Sequence, residues 1–360
     1  MSAAAGALQR HAGLWQSDAW YRLAWVVWPQ VACLLIAGWL LSSPSNVREA
    51  AAPWAKPIIP VMTAAQFDAL RNQAETDPQA LDRLRQMANS GNAGAQFSLG
   101  TLYDPDFQAP SKLVSNDMNT AIGWYEKAAE HGHSIAQQNL AAKYYEGRWV
   151  PTDYSKANFW ARKAADQGNP AGERMLGWAN QAGLGSPANK TYALQWFKRA
   201  ADHGDSFSEA QVADAYRSGD GFALNQTEAL NWYRKAAAQK NAYAQMRIGE
   251  AYLNGTGVGR NLDQAFSYFQ QGANGGNAAA EFYLGAMYDQ GLATPADPTQ
   301  AFQWFKKAAD SGNADAQNAL GLAYAQGRGV ARDTAAARSW LEKAQQNGNA
   351  AAANNLQMLR

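Results

Sequence analysis

The chain of 360 residues contains little cysteine and little charge, and both shortages exclude classes of protein. Its one cysteine, Cys33, excludes a disulfide framework and a thiolate metal site, because both need several cysteines. Charged residues make up 17% of the chain, against about 25% in typical soluble proteins. The net charge is +1 without any run of like charges, whereas a nucleic-acid-binding protein is expected to carry a basic patch.

Long hydrophobic runs are also missing, except in one segment. Leu23–Leu41 contains no charged residue, and its length is close to the ~20 residues that cross a bilayer as a helix. Trp25 and Trp39 lie near its two ends, where the membrane interface favours aromatic rings. We predict a membrane-spanning helix at residues 23–41 after a leader at 1–22. A cleaved signal peptide and a buried core helix are the alternatives.

The predicted anchor and the segment after it carry further information. Pro29 and the small residues Cys33 and Gly38 favour a helix face that packs against other membrane helices. Residues 42–60 hold four prolines, so we predict an extended linker that reaches at most ~60 Å. Arginine and lysine are nearly balanced on the two sides of the anchor, so the positive-inside rule gives no orientation.

Tryptophan recurs along the rest of the chain at a fixed interval of 36 residues. The series comprises Trp124, Trp160, Trp196, Trp232, Trp304 and Trp340, with Tyr268 at the one missing position. Self-similarity at such an interval is the signature of a repeat architecture. We interpret the series as core, because a large ring in each unit packs that unit against the next.

Two phrases recur together within each period, as AQMRIGEAYLNG from Ala244 and ALNWYRKAAAQKN around Trp232 show. In the first phrase Ile248 and Tyr252 are four residues apart, which places them on one face of a helix. Each unit is therefore predicted to contain two helices of about a dozen residues. A glycine such as Gly255 follows the first helix of each unit, where a helix end favours a residue able to adopt positive φ.

The stretch NGTGVGR at residues 254–260 has an alternative interpretation as a phosphate-binding loop. A dinucleotide fingerprint needs a strand before its glycines, whereas a helical pattern precedes this stretch. We therefore interpret it as one of six equivalent interhelix turns. We predict no cofactor and no small-molecule substrate.

The repeats continue to both ends of this region. A helical cap with a half unit occupies residues 61–92, about seven units occupy 93–349, and a lone first helix occupies 350–360. The first unit is five residues longer than the others, and we place the extra residues in DPDFQAPSKLV. Such half units are expected to cap a solenoid at its two ends.

The two phrases and the 36-residue period resemble those of the Sel1-like repeat family, a relative of the tetratricopeptide repeats. This resemblance implies an all-α fold, an α/α superhelical solenoid with a curved inner surface. It also implies use as an adaptor in membrane-associated complexes and in bacterial envelope signalling. The cysteine-rich branch of the family is excluded, because the repeats of this chain contain no cysteine.

Catalytic and metal-binding patterns are weak in this sequence. His131 and His203 occupy one recurrent turn position, so we interpret them as turn variation; a metal site formed by His131 and His133 is the alternative. No serine or cysteine has a suggested histidine partner, and acids such as Asp166 and Asp202 recur as caps or solvated positions. We predict no enzymatic activity. An envelope enzyme acting on cell-wall polymer is a weaker alternative.

First-helix positions that vary between units are the candidate protein-binding surface. Five side chains stand out there: Arg174, Trp178, Met246, Phe282 and Tyr283. Aromatic residues, methionine and arginine are typical of binding hot spots. The alternative for each residue is that it completes the packing between units.

These features together predict a membrane-anchored adaptor whose solenoid binds a protein partner. We expect a single-pass protein of the bacterial inner membrane with its repeats in the periplasm, because residues 42–360 lack cysteine. The alternative is a structural accessory subunit, packed permanently on an integral-membrane complex of the respiratory or secretion type.

Overall fold

The computed structural model describes residues 62–107 and 111–359, which form seventeen α-helices and no strand. In chain order they are α1 (Ala64–Ala74), α2 (Pro78–Asn89), α3 (Ala93–Tyr103), α4 (Met118–Glu130), α5 (Ser134–Glu146), α6 (Tyr154–Asp166), α7 (Pro170–Ala182), α8 (Lys190–Asp202), α9 (Ser206–Ser218), α10 (Gln226–Ala238), α11 (Ala242–Asn254), α12 (Leu262–Asn274), α13 (Ala278–Gln290), α14 (Pro298–Asp310), α15 (Ala314–Gln326), α16 (Thr334–Gln346) and α17 (Ala352–Gln357). The predicted all-α class is confirmed.

Helices α3 to α16 form seven units, each with a first and a second helix. Each helix packs mainly on the helices before and after it, and first helices of adjacent units also touch, as α5 with α7 and α11 with α13. This packing between neighbours is that of a repeat solenoid, as predicted. The extra residues of unit 1 lie between α3 and α4, also as predicted.

The predicted leader (1–22), membrane helix (23–41) and linker (42–60) lie outside the described residues. The same holds for the five anchor residues Trp25, Pro29, Cys33, Gly38 and Trp39. Within the described ranges, no helix combines the length and apolar character that a membrane crossing needs.

Side-chain caps begin every helix from α3 to α16. An Asn, Asp or His precedes each helix and accepts a hydrogen bond from a backbone N–H two or three residues later, as Asn241 does from Ala244. Such caps satisfy backbone donors that have no partner within the helix. The first helices of units 2 to 7 end at a left-handed glycine, as Gly255 shows with φ of 73°. The turn interpretation of NGTGVGR is therefore confirmed.

In most units the ring at the centre of the core belongs to the residue that follows the tryptophan position. Phe269 is fully buried, and a Cβ at Gly249 would lie 2.7 Å from its ring. The glycine inside α11 therefore lets the ring approach the helix backbone. Tyr125, Phe197 and Phe305 lie in the same way against glycines of their own units.

The interpretation of the tryptophan series as core is confirmed only for Trp196 and Trp232, which are buried. Trp124, Trp160, Trp304 and Trp340 are half-buried. A lysine covers an exposed ring face in several units, as Lys127 does with Nζ 4.1 Å from the centroid of Trp124. Adjacent residues of a helix point about 100° apart, so only one of the two neighbouring rings can face the first helix.

A buried polar residue occupies the fourth position of every first helix. The series is Gln96, Gln137, Glu173, Glu209, Gln245, Glu281 and Gln317. In most units this residue binds the side chain at the end of the second helix. His131 Nδ1 lies 2.8 Å from Gln96 Oε1, and His203 Nδ1 lies 2.8 Å from Glu173 Oε2. The recurrent histidine position therefore connects the end of the second helix to the first helix of the same unit.

Candidate protein-binding surface

The five predicted surface residues occupy different environments. Trp178 is 48% exposed on α7, while Arg174 is half-buried and its Nη1 donates to Oδ2 of Asp205 at 2.6 Å. Met246 is only 4% exposed and packs in the core of unit 5, so it does not belong to the surface. Met246 therefore contributes to packing between units, which was the alternative role, because this face of α11 contacts α12 and α13.

Phe282 and Tyr283 lie between surface and core. Both are half-buried, and Phe282 contacts the ring of Phe305 with centroids 5.9 Å apart. Tyr283 stacks on Phe269 at 4.7 Å, while its hydroxyl donates to Oε1 of Glu250 at 2.8 Å. Each ring therefore contributes to packing, and Tyr283 also takes part in a polar network on the first helices.

Trp178 belongs to an aromatic patch formed with Tyr145 and Tyr154. The Tyr145 ring lies 6.0 Å from that of Trp178 and 6.2 Å from that of Tyr154. The Tyr145 hydroxyl donates to Oδ1 of Asn158 at 2.5 Å, and Nδ2 of Asn158 donates to the Leu184 carbonyl at 2.8 Å. These bonds fix the patch before any partner arrives, which lowers the entropic cost of binding.

A polar network connects the first helices of units 4 and 5, with Asp214 at one end. Tyr233 donates to its Oδ1 at 2.7 Å, Tyr243 donates to its Oδ2 at 2.9 Å, and Arg217 Nη2 donates to its Oδ1 at 3.2 Å. Burial raises the pKa of Tyr233, and the hydrogen bond to the negatively charged Asp214 raises it further. The phenol therefore remains a protonated donor at neutral pH.

Glu250 is the second acid of this network, which we call the tyrosine–arginine network. Arg247 Nη1 donates to its Oε2 at 2.7 Å, and Arg247 Nε donates to the Tyr243 hydroxyl at 2.9 Å, which joins the two acids. Burial, with a contribution from Glu250, raises the pKa of Tyr283 to about 12, so this phenol also remains a donor.

Three grooves lie between consecutive units at equivalent positions of the repeat. The grooves of units 3/4, 4/5 and 6/7 have volumes of about 250, 300 and 230 Å³. Each lies between the start of a second helix and the first helix of the next unit. One equivalent position holds Asp214, Glu250 and Leu322 in the three grooves, so their chemistry changes along the row. Arg217 lines both the 3/4 and the 4/5 groove.

Two turns lack the second glycine of the repeat. Trp149 takes its place in unit 2, and its Nε1 donates to Oδ2 of Asp106 in the extra segment of unit 1 at 3.0 Å. Lys143 donates to the same oxygen at 2.7 Å, and this bond, as the largest influence, lowers the pKa of Asp106. Ala293 takes the glycine position in unit 6 and keeps a positive φ of 61°.

The two histidines of the alternative metal site each have another partner in the structure. His133, proposed above as an alternative ligand with His131, caps α5 instead: its ring accepts the Ala136 N–H at 3.2 Å. Across the described ranges, no group of three or more His, Cys, Asp or Glu side chains is placed to hold a metal ion.

Sequence reasoning missed the tyrosine–arginine network. Asp214 and Arg217 on α9, and Arg247 and Glu250 on α11, occupy first-helix positions that are apolar or uncharged in most other units. Charges at variable positions of two adjacent units were the available signal. Their pairing depends on Tyr243, which the sequence did not single out.

Comparison with known proteins gives seven matches along the chain. A family model described as Sel1 repeat matches residues 93–133, 134–169, 170–205, 206–241, 242–277, 278–313 and 314–349. These segments coincide with the seven helix pairs of the structure. A comparison with curated proteins found no match.

Two solved structures are similar over most of this chain. A protective antigen present in uropathogenic Escherichia coli strains, which displays an SLR fold, is 33% identical with a TM-score of 0.69 over 82% of this chain. The chain spans 64% of that antigen's length. A Sel1 repeat protein from Oxalobacter formigenes is 31% identical with a TM-score of 0.60, over 82% of this chain and 86% of that one.

Proposed function

This chain belongs to the Sel1 repeat family, whose members generally mediate protein–protein interactions, and on that premise we propose that it is a membrane-anchored adaptor. Its first-helix surface captures a protein partner in the bacterial envelope. The observation that carries this proposal is the aromatic patch. Trp178 is 48% exposed although a packed solenoid gains stability by burying such a ring, and the bonds of Tyr145 hold the patch in place.

The tether is the second part of the proposal. Leu23–Leu41 supplies a segment of spanning length, and the prolines of residues 42–60 extend the chain between the bilayer and the repeats. The inner membrane and the periplasm remain the proposed location, because the repeats lack cysteine. A reporter enzyme fused after Arg360 tests the orientation. Activity confined to the cytoplasm would contradict the periplasmic assignment.

A permanent accessory subunit of an integral-membrane complex is the second candidate. The small residues around Cys33 and Gly38 favour it, because they suit close packing against other membrane helices. A truncated chain that starts at Thr63 separates the two candidates. A permanent subunit would lose its complex together with the anchor, so a free truncated protein that still restores function would contradict the subunit role.

Affinity capture from gentle detergent tests the adaptor role with the full chain. We expect Trp178→Ala to reduce recovery of the captured partner at least about tenfold, since hot-spot truncations cost ~2 kcal/mol or more. Phe159→Ala is the matched control, because Phe159 is similarly exposed on the second helix of unit 2. Equal recovery with wild type and with Trp178→Ala would contradict the proposed surface.

A further inference from the structure

We propose that the grooves of units 3 to 5 hold an extended peptide segment of the partner, with an Asp or Glu side chain bound between Arg217 and Arg247. This inference rests on the proposed function and adds the chemistry that the partner must present. The shared position of Arg217 in two grooves and the charge arrangement of the 4/5 groove support it.

The grooves form a row with the spacing of the repeat. The 3/4 and 4/5 grooves are lined by equivalent residues one unit apart, for example Lys190 and Gln226 at the start of the second helices. First helices of adjacent units touch in this solenoid, and packed helices lie roughly 8–10 Å apart. One unit therefore corresponds to about three residues of extended chain at ~3.3 Å per residue.

The carboxylates in this row already have donors of their own. Asp214 accepts bonds from Tyr233, Tyr243 and Arg217, while Glu250 accepts bonds from Arg247 and Tyr283. The side chain of Arg217 is 41% exposed, against 24% for that of Asp214. The Arg217 side chain is therefore more accessible than that of the acid with which it pairs.

Both arginines keep donors for a ligand. Among the described residues, no hydrogen bond is formed by Nη1 of Arg217 or by Nη2 of Arg247, and both side chains line the 4/5 groove. A guanidinium fork matches a carboxylate in geometry and charge. An acidic side chain placed in this groove can accept from both arginines without displacing the pairs with Asp214 and Glu250.

A side-chain carboxylate fits this row better than a chain terminus. Arg217 lines both the 4/5 and the 3/4 groove, so a segment that extends past the arginines lies next to the 3/4 groove. The aromatic patch occupies the equivalent position of units 2 and 3, where Tyr154 and Trp178 replace Lys190 and Asp214. Aromatic surfaces of this kind bind proline in extended segments. The patch and the arginines are two units apart, which corresponds to about six residues of extended chain.

The test measures binding of a synthetic peptide to the full chain in detergent micelles by fluorescence anisotropy. The probe carries a proline pair and one glutamate separated by about six residues of Gly and Ser, in both orders. Its ends are acetylated and amidated, so the side chain is the sole carboxylate. We expect the Glu peptide in one order to bind about tenfold more tightly than its Gln counterpart, as charge-assisted bonds predict.

Variants of the chain assign the effect to the arginines. Arg217→Gln with Arg247→Gln should remove the preference for Glu over Gln, while Arg234→Gln, an exposed arginine on α10, should keep it. Asp214→Asn combined with Arg217→Gln avoids leaving an unpaired acid; it should melt near wild type and still bind the Glu peptide more weakly. If this double variant bound the Glu peptide as tightly as wild type does, the role of Arg217 would be overturned.

Other outcomes are equally decisive. Equal binding of Glu and Gln peptides in both orders, or preference for a peptide with a free C-terminal carboxylate and Gln, would overturn the proposal. A partner captured from cells could be lost with Trp178→Ala and yet be retained by the variant with both arginine exchanges. That result would support the adaptor function and refute only the binding of an acidic segment.

Discussion

Units 2 to 4 and units 5 to 7 share one backbone plan but place their aromatic side chains differently. Strongly exposed large apolar residues of the earlier units are Ile135, Trp149, Tyr154, Phe159, Trp178, Tyr192, Phe207 and Leu224. Residues 242–349, all of them described, contain none. The later units contain no strongly exposed ring, whereas the earlier units present several rings to solvent and also bury others, such as Trp196 and Trp232. The exposed rings that a partner could contact are thus concentrated in units 2 to 4.

The contrast is sharpest between units 2 and 5. In unit 5 Gly249 receives the buried ring of Phe269, whereas the equivalent pair in unit 2 is Ala141 and Ala161. Unit 2 therefore lacks the central ring, while Phe159 on its second helix is 52% exposed. Four tests compare individual units, and the effects expected from them decrease in the order given.

Removal of a ring should cost much more in unit 5 than in unit 2. Phe269→Ala deletes a fully buried side chain and should lower the free energy of unfolding by about 3–5 kcal/mol. Phe159→Ala removes an exposed ring and should change it by less than about 0.5 kcal/mol. Urea titration followed by circular dichroism measures both. Similar losses in the two variants would contradict this difference between the units.

Adding a methyl group at the central glycine should be the next largest effect. A Cβ at Gly249 would lie 2.7 Å from the Phe269 ring, so Gly249→Ala should cost about 1–3 kcal/mol by overpacking. The reverse exchange in unit 2, Ala141→Gly, has no large ring to admit and should cost about 1 kcal/mol through helix propensity, plus the loss of one buried methyl group. A stabilising effect of Gly249→Ala on thermal unfolding would disprove this account of the core.

The stability contributed by the histidine cap of α5 should depend on pH near neutrality, unlike that of the asparagine caps of other first helices. His133 caps α5 as a hydrogen-bond acceptor, and burial lowers its pKa. The unfolded chain, with a histidine pKa near 6.5, therefore binds the proton first. The contribution of the cap is present above about pH 6.5, and it is lost as the pH falls towards the folded pKa.

Exchange of this cap tests the pH dependence. His133→Asn, which matches the caps at Asn169 and Asn241, should remove an acid-induced loss of about 1 kcal/mol. Unfolding free energies measured above and below about pH 6.5 give the difference. An unchanged pH profile in the variant would contradict the role of the imidazole.

The smallest effect concerns backbone strain in unit 6. Ala293 has a φ of 61° at the position that Gly257 occupies with a φ of 71°. Ala293→Gly should stabilise the protein by about 0.5 kcal/mol, because relief of the strain exceeds the added freedom of the unfolded chain. Gly257→Ala is the mirror control and should destabilise, since its Cβ would also lie 2.7 Å from the Gln226 carbonyl oxygen. Destabilisation by both changes would contradict this prediction.

The sequence predicted the parts of the fold that depend on periodicity. The seven units and the left-handed glycines such as Gly255 follow from local patterns and are confirmed. Periodicity did not predict which of two adjacent aromatic side chains is buried. Trp304 and Phe305 are both large and aromatic, and only the structure shows that Phe305 faces the core while Trp304 is half-buried.

The candidate surface was less predictable for a related reason. Met246 and Trp178 are both apolar first-helix residues at variable positions, yet Met246 is buried and Trp178 is exposed. Their environments depend on which neighbours the adjacent units present. The bond between Tyr243 and Asp214 crosses from one unit to the next, so no pattern within a single unit contains it.

The buried pairs at the fourth position of the first helices have an evolutionary consequence. Glu173 with His203, and Gln317 with Asn347, each lie within one unit. A recombination event that duplicates or deletes one period therefore moves both partners of such a pair together and leaves neither of them without the other. The gene can change the number of repeats in whole steps, and the row of grooves lengthens or shortens with it, which lets recognition evolve by copying.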